Sequence, residues 1–574
     1  MINVLQNFFV NNLKNEKANP LYYKLRNGTE IKETRRFMIF KGGVFKTNTY
    51  FNAFPLNFFI KNTAVKHIGV HVKFTGNALF KIVLLKSNFK KIYFETIIHG
   101  NVDNIFWIDG ISDQSDFDLM YTEFIALEDS EVDLVEWVTD EDPVRNIHLA
   151  ICCTTFNRQD DIKKLYNRLS NKEYLTKKCK LIVVNNGDPI DVPNTDFCKV
   201  IKNKNTGGTG GFMRGLVEAY KTHEFTHVMF IDDDAFCEPL SILKAINILE
   251  YAKDINSSVA GAMLFLDRPW IQYEAGATLM SFNIKSNNPN LNLCDVESLL
   301  TNSQTSSCSY GPWWFFIFPI KDGLKMSFPF FVRGDDVTFS LRNNFSPFIV
   351  NGICSWQESF DAKISPSVEY LAFRSFVMIS LLYLETKPSS TALFRKVFSH
   401  IIKEAAGYRY QIADALCQSL KDVMTGPDFW ENHLEMGPYI KALTSKVGNM
   451  DSYSVTNAPI IPNEPLVSKK RKLFALFTIF GNLVPSVLCR SGKTVWGLGA
   501  RPFVAVGRKE IYQYSPENKQ VFVFRRNSLR FFKIFFKSLI LTSKLVLKRE
   551  SITTSYKNSL KRFESPEFWE EKLK

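Results

Sequence analysis

The sequence predicts an α/β protein with an N-terminal β-sandwich, a central Rossmann-like domain and a C-terminal helical region. Three observations indicate this order. Short β-rich segments run from about Thr47 to Glu136, strands alternate with helix-like stretches from Asn146, and long helical patterns dominate after Val368. With 574 residues, 45% hydrophobic and 22% charged, the chain has the composition of a globular protein of several domains.

Residues 1–145 are expected to form the sandwich. They contain the strand-like segments "HIGVHVKFTG", "ALFKIVLLKS" and "KIYFETIIHG", with turn signals between them. Short strands separated by turns are typical of an antiparallel sandwich.

Residues 146–367 are predicted to form a parallel sheet flanked by helices. Strand-like segments such as "HLAICCTTF", "CKLIVVNNG" and "THVMFIDDD" alternate with helix-like segments such as "QDDIKKLYNRLS" and "GGFMRGLVEAYKTHEF". This alternation is the signature of βαβ units.

Two further regions complete the chain. Residues 368–456 are predicted to be a helical domain, because helix-period patterns such as "VEYLAFRSFVMISLLYLE" fill them. A Pro-rich linker, "NAPIIPNEPLVSKK", leads into residues 457–574, which are basic and aromatic.

The basic residues of this last region bear on the partners of the protein, whose formal net charge is +13. Arg530, Lys533, Lys537, Lys544 and Lys548 recur at helical spacing and share one helix face. The pattern is typical of a helix lying on an anionic membrane surface, and equally of a core helix with a solvated basic edge. No stretch is apolar enough to span a bilayer. The basic residues lie on apolar helices outside any recognised nucleic-acid-binding fold, so no nucleic-acid partner is expected.

Cysteine usage and the first residues bear on localisation. The ten cysteines form no C-x-x-C pair and no regular spacing, which indicates neither a zinc site nor a disulfide framework. The opening segment, "MINVLQNFFVNNLKNEKANP", lacks the features of a signal peptide. We therefore expect a cytoplasmic protein, peripheral on the inner face of the cell membrane.

Unusual loops follow three of the predicted parallel strands. They supply Arg158, Asn186 and the triplet Asp232–Asp234, and a fourth loop places Gly207 and Gly208 before a helix. Ligands bind at the carboxyl ends of such strands. Glycines allow close approach of the backbone to a ligand, and the helix N-terminus favours negative charge.

The aspartate triplet is the most specific of these signals. Adjacent carboxylates repel one another unless they face water or a cation lies between them. Alternation along an extended chain points Asp232 and Asp234 to one side and Asp233 to the other. The triplet predicts a divalent-cation site that neutralises the leaving diphosphate of a nucleotide sugar.

A second acidic motif, "GDD", lies about a hundred residues further on. Inverting sugar transfer requires a carboxylate that accepts the proton of the attacking hydroxyl. Asp336 is the first candidate for this base and Asp335 the second. Trp313 and Trp314, just before this motif, offer flat faces to a sugar acceptor, although paired tryptophans are also common in protein cores.

The motifs, taken together, resemble a known family. "TYFNAFP", "CTTFNRQDD", "NTGGTGGFMRG", "MFIDDDAFCEP", "PWWFFIFP", "GDD" and the Trp356 region followed by "YLAFR" occur in the same order as in the family-2 galactofuranosyltransferases of mycobacterial galactan synthesis. The resemblance covers roughly Thr47 to Arg374. It implies an N-terminal β-sandwich, a GT-A glycosyltransferase domain and a helical C-terminal region. It also implies UDP-galactofuranose as donor, Mn²⁺ or Mg²⁺ as cofactor, inversion, and a polyprenyl-linked glycan as acceptor.

The resemblance also implies roles for individual residues. Asp232 and Asp234 match metal ligands, and Asp336 matches the catalytic base. The remaining assignments are donor binding by Arg158, Asn186, Gly207, Gly208 and Asp233, and acceptor binding by Trp313, Trp314 and Trp356.

Three positions depart from the family pattern. Gly334 replaces a tryptophan and Thr338 an acidic residue, both beside the expected acceptor. Gln357 stands where the family has a histidine as its third metal ligand. A carboxamide oxygen binds a hard cation more weakly than imidazole binds Mn²⁺, so we expect a looser site that tolerates Mg²⁺.

Other readings remain open at this level. A related transferase that uses another nucleotide sugar, such as dTDP-rhamnose, has nearly the same motifs. A glycan-binding or assembly protein with a decayed catalytic domain would explain Gln357 and Thr338. The linkage, the product length and formation of a homo-oligomer are not determined by the sequence.

Overall fold

A computed structural model gives the fold of the chain. It describes residues 2–573 except 14, 33, 35, 88, 281–282, 306, 359–363, 385, 463–467, 498–501 and 516–517. The predicted Pro-rich linker therefore lies partly outside the described residues.

The N-terminal region is an antiparallel sheet with one short helix. Its strands are β1 (Asn3–Gln6), β2 (Lys24–Ile31), β3 (Arg36–Lys46), β4 (Ile68–Lys86), β5 (Phe89–Ile108), β6 (Leu119–Ala126) and β7 (Ser130–Thr139), and its helix is α1 (Leu56–Asn62). The pairings β3–β6, β6–β4, β4–β7 and β7–β3 form a ring, so the sheet folds back on itself around buried aromatic side chains. The predicted β-rich region is present, and its strands form one continuously paired sheet.

The central region is an eight-stranded mixed sheet with helices. Its strands are β8 (Leu149–Thr155), β9 (Cys179–Asn185), β10 (Cys198–Lys202), β11 (His227–Asp232), β12 (Val259–Phe265), β13 (Gln272–Glu274), β16 (Phe316–Pro319) and β17 (Phe348–Gln357), and a separate hairpin joins β14 (Ala277–Met280) to β15 (Asn283–Ser286). Its helices are α2 (Gln159–Ser170), α3 (Glu173–Thr176), α4 (Gly207–Thr222), α5 (Pro239–Tyr251), α6 (Val296–Gln304) and α7 (Asp335–Arg342).

The order of the central sheet brings the predicted loops together. Strands β10, β9, β8 and β11 are parallel neighbours, and β11 then pairs antiparallel with β16. Strand β17 runs parallel to β12. Because parallel strands end at the same edge, the residues after β8, β9 and β11 meet at one side of the sheet.

The C-terminal region is mainly helical. It contains α8 (Pro366–Leu382), α9 (Ser390–Ala406), α10 (Tyr410–Thr425), α11 (Pro427–Asn432), α12 (Met436–Val447), α13 (Lys469–Phe477), α14 (Ser528–Leu547), α15 (Arg549–Phe563) and α16 (Pro566–Lys572). A small sheet is formed by β18 (Ser452–Ser454), β19 (Val495–Gly497), β20 (Glu510–Ser515) and β21 (Gln520–Arg525).

The last helices pack on the central domain. The Trp569 indole N–H donates to the Ser327 carbonyl (3.0 Å), and the Arg214 guanidinium donates to the Leu573 carbonyl (2.8 Å). The buried apolar side chains of all three regions form one contiguous core. Among the described residues, no helix is both long and apolar enough to traverse a bilayer. The predicted fold class is confirmed, whereas the boundaries at residues 145, 367 and 456 stay predictions.

Candidate active site

A cavity of about 870 Å³ opens at the carboxyl edge of the parallel strands. It lies between the ends of β8, β9 and β11, the start of α4, the start of α7 and one face of α8. Its lining includes the predicted residues Arg158, Asn186, Gly207, Gly208, Asp232, Asp233, Asp234, Trp313, Trp314, Asp335 and Asp336. Residues that are about two hundred positions apart in sequence therefore share one cavity.

The aspartate triplet lies where β11 ends. The Gln357 amide N–H donates to Asp232 Oδ2 (3.1 Å) and to Asp234 Oδ1 (3.0 Å). Asp232 and Asp234 therefore converge on one point, whereas Asp233 forms an ion pair with Arg158 (3.1 Å).

Arg158 is the counter-charge of the triplet. Its guanidinium bonds the carboxylates of both Asp233 and Asp234. Among the described residues, Arg158 thus neutralises part of the negative charge of the triplet. A metal ion bound there would balance the same charge.

Burial also reduces the charge of the triplet. Burial, with the neighbouring Asp234 carboxylate, raises the pKa of Asp232 to about 7. Burial raises the pKa of Asp233 to about 6, against the lowering effects of the nearby Thr155 hydroxyl and of Arg158.

The donor set of the triplet fits a hard divalent cation. The Gln357 side-chain oxygen is buried and has no hydrogen-bond partner among the described residues. Two carboxylates and a carboxamide oxygen are ligands that Mg²⁺ and Mn²⁺ accept. The Gln357 amide directs its N–H groups to the carboxylates here, so it would have to turn its oxygen toward them to complete such a set. No cluster of three His, Cys, Asp or Glu side chains suited to a metal is present in the described part of the chain.

The glycine-rich loop is tied to the segment that precedes α7. Gly207 has φ +73°, and a Cβ there would lie 2.2 Å from the Phe331 carbonyl oxygen. The Thr209 backbone N–H donates to the same oxygen (3.0 Å). The Asn186 amide N–H donates to the Gly207 carbonyl (3.0 Å), which fixes the other side of the loop. Only glycine accommodates both this φ and this contact.

The second acidic pair begins α7. The Thr209 hydroxyl donates to Asp335 Oδ2 (2.6 Å), whereas Asp336 accepts only from the backbone N–H of Val337 (2.8 Å) among the described residues. Burial, with the adjacent Asp335 carboxylate, raises the pKa of Asp336 to about 8. Asp335 is thus held in place, and Asp336 is the member with free acceptor capacity.

The segment before α7 is anchored from the C-terminal region. Phe331 and Arg333 have backbone φ values of +75° and +69°, which residues other than glycine rarely adopt. The buried Arg374 guanidinium of α8 donates to the Phe330 carbonyl (2.7 Å). We infer that such contacts hold the unusual backbone.

Glu564 joins the two ends of the same segment. Its backbone carbonyl accepts from the Met326 N–H (2.9 Å), and its carboxylate accepts from Arg342 at the end of α7 (2.8 and 2.9 Å). The chain between Met326 and Arg342, which carries Asp335 and Asp336, is therefore bound to one residue of the C-terminal region.

The three tryptophans differ in position. Trp313 and Trp314 line the cavity but are only 5% and 8% exposed, and Trp313 packs edge-on against Phe212 and Phe230. Trp356 is fully buried and donates its indole N–H to the Pro269 carbonyl (2.9 Å). It does not line the cavity, and this burial corrects the expectation that Trp356 contacts an acceptor.

Several lining or supporting residues were not found by sequence reasoning. Glu274 lines the cavity with a buried carboxylate oxygen that has no hydrogen-bond partner among the described residues, and burial raises its pKa to about 6. Arg333 also lines the cavity, and its charge lowers the pKa of Asp336 against the effect of burial. Thr209, Arg374 and Glu564 support the site through hydrogen bonds to residues that are distant in sequence. Of these five residues, only Arg333 was marked by a local sequence signal, because it directly precedes "GDD".

Comparison with known proteins agrees with this geometry. Residues 150–266 match the family model described as glycosyl transferase family 2. The chain is 21% identical over 579 residues to galactofuranosyltransferase GlfT2 of Mycolicibacterium smegmatis, covering 92% of this chain and 88% of that protein. It is 22% identical over 416 residues to galactofuranosyltransferase GlfT2 of Mycobacterium tuberculosis, covering 66% of this chain and 65% of that protein.

Two solved structures were also similar in part. A mannosyltransferase from Pyrobaculum calidifontis, in complex with GDP-mannose and Mn²⁺, is 11% identical, with 53% of this chain and 88% of that chain covered and a TM-score of 0.28. TarS of S. aureus is 12% identical, with 52% and 54% covered and a TM-score of 0.28. These scores support no conclusion about this chain. The family match and the two GlfT2 relatives support a family 2 glycosyltransferase of the galactofuranosyltransferase-like type, in agreement with the resemblance of the sequence motifs.

Proposed function

We propose that the protein transfers galactofuranose, with inversion, from UDP-galactofuranose to a lipid-linked glycan at a membrane surface. One observation carries the proposal: a single cavity holds the converging Asp232 and Asp234, the glycine-rich loop and the free carboxylate of Asp336. A nucleotide-sugar transferase needs these three parts, namely a site for the diphosphate, a cation to neutralise it and a base for the acceptor.

The donor is assigned to the side of the cavity formed by β11 and α4. The start of α4 offers the backbone N–H of Gly208 and the positive end of a helix to a diphosphate, whereas the Gly207 N–H donates to Asn205 Oδ1 (3.2 Å). Asp232, Asp234 and Gln357 would hold the divalent cation, which would supply charge neutralisation of the leaving UDP. Arg158, released from the aspartates, is then free to pair with a phosphate.

Asp336 is assigned as the base. It accepts the proton of the acceptor hydroxyl while that oxygen forms a bond to the anomeric carbon and the bond from this carbon to the diphosphate breaks. Attack from the face opposite UDP inverts the configuration. Asp335 is already occupied by Thr209, which supports Asp336 as the group that receives the proton.

The acceptor is assigned to the side of the cavity lined by Trp314, Tyr310, Glu274 and α8. The α8 side chains there, among them Leu371 and Phe376, are apolar, whereas Glu274 offers an oxygen to a sugar hydroxyl. This mixture of apolar faces and a few polar groups is typical of carbohydrate and other small-ligand sites.

Membrane association is supported by the surface of α13 and α14. Helix α14 buries one face in the core and exposes a stripe formed by Leu529, Phe536, Ile540 and Leu547, with exposed fractions of 86%, 57%, 55% and 84%. Helix α13 exposes Leu473, Phe474, Leu476 and Phe477 behind a run of basic residues. The expected single cationic face is divided, because Arg530 and Lys537 turn toward Asp414 of α10. Helix α14 thus combines features of both interpretations that the sequence left open, a helix on a membrane surface and a core helix with a basic edge.

The test is UDP release from purified protein with UDP-galactofuranose, a synthetic galactofuranosyl acceptor and Mn²⁺ or Mg²⁺. We expect metal-dependent turnover that Asp336→Asn abolishes. Turnover with dTDP-rhamnose and none with UDP-galactofuranose would change the assigned donor to dTDP-rhamnose. Absence of turnover with every nucleotide sugar, together with binding of the glycan, would favour a glycan-binding protein.

A further inference from the structure

A second cleft, of about 460 Å³, lies between α10, α12 and the start of α14. It is separate in its lining residues from the candidate active site. Its walls contain the cations Lys446, Arg530, Lys533 and Lys537, the anion Asp414, and the apolar residues Leu443, Val447, Leu529 and Ile534. We call it the basic cleft.

The charges of the basic cleft are not balanced. Asp414 pairs with both Arg530 (3.3 Å) and Lys537 (2.9 Å), so one carboxylate serves two cations. Among the residues that the structure describes, Lys446 donates only to the neutral side chain of Gln418 (3.3 Å). Lys533 forms no ion pair or hydrogen bond within the described part of the chain. The cleft therefore has an uncompensated positive charge that suits an anion.

The apolar part of the cleft restricts the kind of anion. Leu443, Val447 and Ile534 form apolar wall between the cationic groups, and Leu529 at the rim is 86% exposed. From this rim the exposed stripe of α14 continues through Phe536 and Ile540. A cationic rim beside a continuous apolar surface matches a lipid, whose phosphate is joined to an apolar chain, better than a free anion.

We propose that the basic cleft binds the phosphate of an anionic phospholipid in a bilayer, with Lys446 and Lys533 as the residues that recognise it. The inference deepens the membrane association in the proposed function, because it assigns a headgroup site where the charge pattern alone gave a general attraction. The lipid chain then lies along the exposed stripe of α14. This arrangement places the C-terminal helices against the membrane in one orientation.

The first experiment is vesicle flotation of the full chain, without donor or acceptor. Vesicles of phosphatidylcholine alone are compared with vesicles that also contain phosphatidylglycerol. The double variant Lys446→Gln/Lys533→Gln is matched by Lys557→Gln/Lys561→Gln, which removes two exposed lysines of α15 outside the cleft. We expect the cleft variant to lose about 25-fold in affinity for phosphatidylglycerol vesicles, about fivefold per lysine, and the control variant to lose much less.

The second measurement is lysine acylation of the wild-type protein followed by mass spectrometry. Phosphatidylglycerol vesicles should protect Lys446 and Lys533 more than Lys557 and Lys561, and phosphatidylcholine vesicles should not. Equal protection by inorganic phosphate would indicate a free-anion site and overturn the lipid assignment.

The outcomes separate this inference from the proposed function. Equal loss of binding in both double variants, or none in either, would overturn the headgroup site while leaving membrane association intact. Failure of the wild-type protein to bind anionic vesicles would overturn both the site and the membrane part of the proposed function. Turnover with a soluble acceptor is measured independently and does not depend on either result.

Discussion

The two acidic motifs of the cavity are balanced in different ways. The aspartates at the end of β11 have a cation, Arg158, and an amide donor, Gln357, as partners. The aspartates at the start of α7 have a hydroxyl, a backbone N–H and the positive end of a short helix. The first motif thus has a positive partner that a metal ion could replace, whereas the raised pKa of Asp336 makes its carboxylate the stronger base once it is deprotonated. Under the proposed function, the same residue type would serve cation binding in one place and proton transfer in the other, according to its neighbours.

Removing the free carboxylate of α7 should have the largest effect. We expect Asp336→Asn to lower turnover about 10³-fold or more, because general base catalysis contributes on that scale. UDP release assays with saturating donor and acceptor measure this. The matched variant Asp335→Asn should retain donor binding and lose less turnover. The reverse ranking would assign the base to Asp335.

Removing a carboxylate at the end of β11 should act on the cation instead. We expect Asp232→Ala to weaken Mn²⁺ binding, in the presence of UDP, by about 100-fold or more, because a site with two carboxylates loses half of its protein charge. Electron paramagnetic resonance of free Mn²⁺ measures the affinity without turnover. Asp336→Asn is the control, and unchanged Mn²⁺ affinity in Asp232→Ala would reject the ligand assignment.

Changing Glu564 tests whether the C-terminal region positions the second motif. We expect Glu564→Gln to lower kcat about tenfold with little change in the donor KM, because Arg342 loses its ionic partner while the donor side of the cavity is untouched. Steady-state kinetics separates kcat from KM. Glu550→Gln, at an exposed position of α15, is the control. A fall in thermal stability without a fall in kcat would indicate a role in stability alone.

Gln357 offers a smaller change at the first motif. We expect Gln357→His to raise the Mn²⁺ affinity about tenfold and to increase the preference for Mn²⁺ over Mg²⁺, because imidazole favours the transition metal. Activity at limiting Mn²⁺ and Mg²⁺ measures the preference. If Gln357→Ala binds both ions as the wild type does, Gln357 is not a ligand.

The raised pKa of Asp336 should also make the free energy of unfolding depend on pH. Because the pKa of Asp336 is raised to about 8 in the folded protein, the unfolded chain releases this proton at lower pH, and stability falls as the pH rises toward 8. Asp336→Asn removes the titrating group, and with it this loss of stability at higher pH. We expect the variant to exceed the wild type in unfolding free energy by roughly 1–3 kcal/mol at pH 8, with a smaller difference at pH 5. Urea denaturation of the metal-free protein at both values measures it, and a difference independent of pH would contradict the raised pKa.

Local sequence patterns predicted the parallel part of the central sheet and the residues at its edge. The strand–helix alternation around Asp232, the glycines at 207 and 208 and the acidic pair at Asp335 and Asp336 are local signals, and the family resemblance added Gln357. The residues of the local signals meet in one cavity, at the edge where the parallel neighbouring strands end, and Gln357 hydrogen-bonds Asp232 and Asp234 there.

Contacts between distant segments were not predictable in the same way. Glu564 lies more than two hundred residues from Met326 and Arg342, and no local pattern marks it as their partner. Trp313 and Trp356 were both assigned to the acceptor, yet only Trp313 lines the cavity. Burial of a tryptophan depends on which elements pack around it, and that is set by tertiary structure.

The contact between Gly207 and Phe331 has a consequence for the kinetic order of the reaction. The loop proposed to receive the diphosphate packs at Gly207 against the carbonyl and the ring of Phe331, in the segment that leads to Asp336, so a shift in one displaces the other. We therefore expect donor binding to precede productive acceptor binding, with UDP leaving after the lengthened glycan. Product-inhibition patterns would then show UDP competing with the donor alone, and the lengthened glycan would rebind only after UDP has left and a new donor has bound.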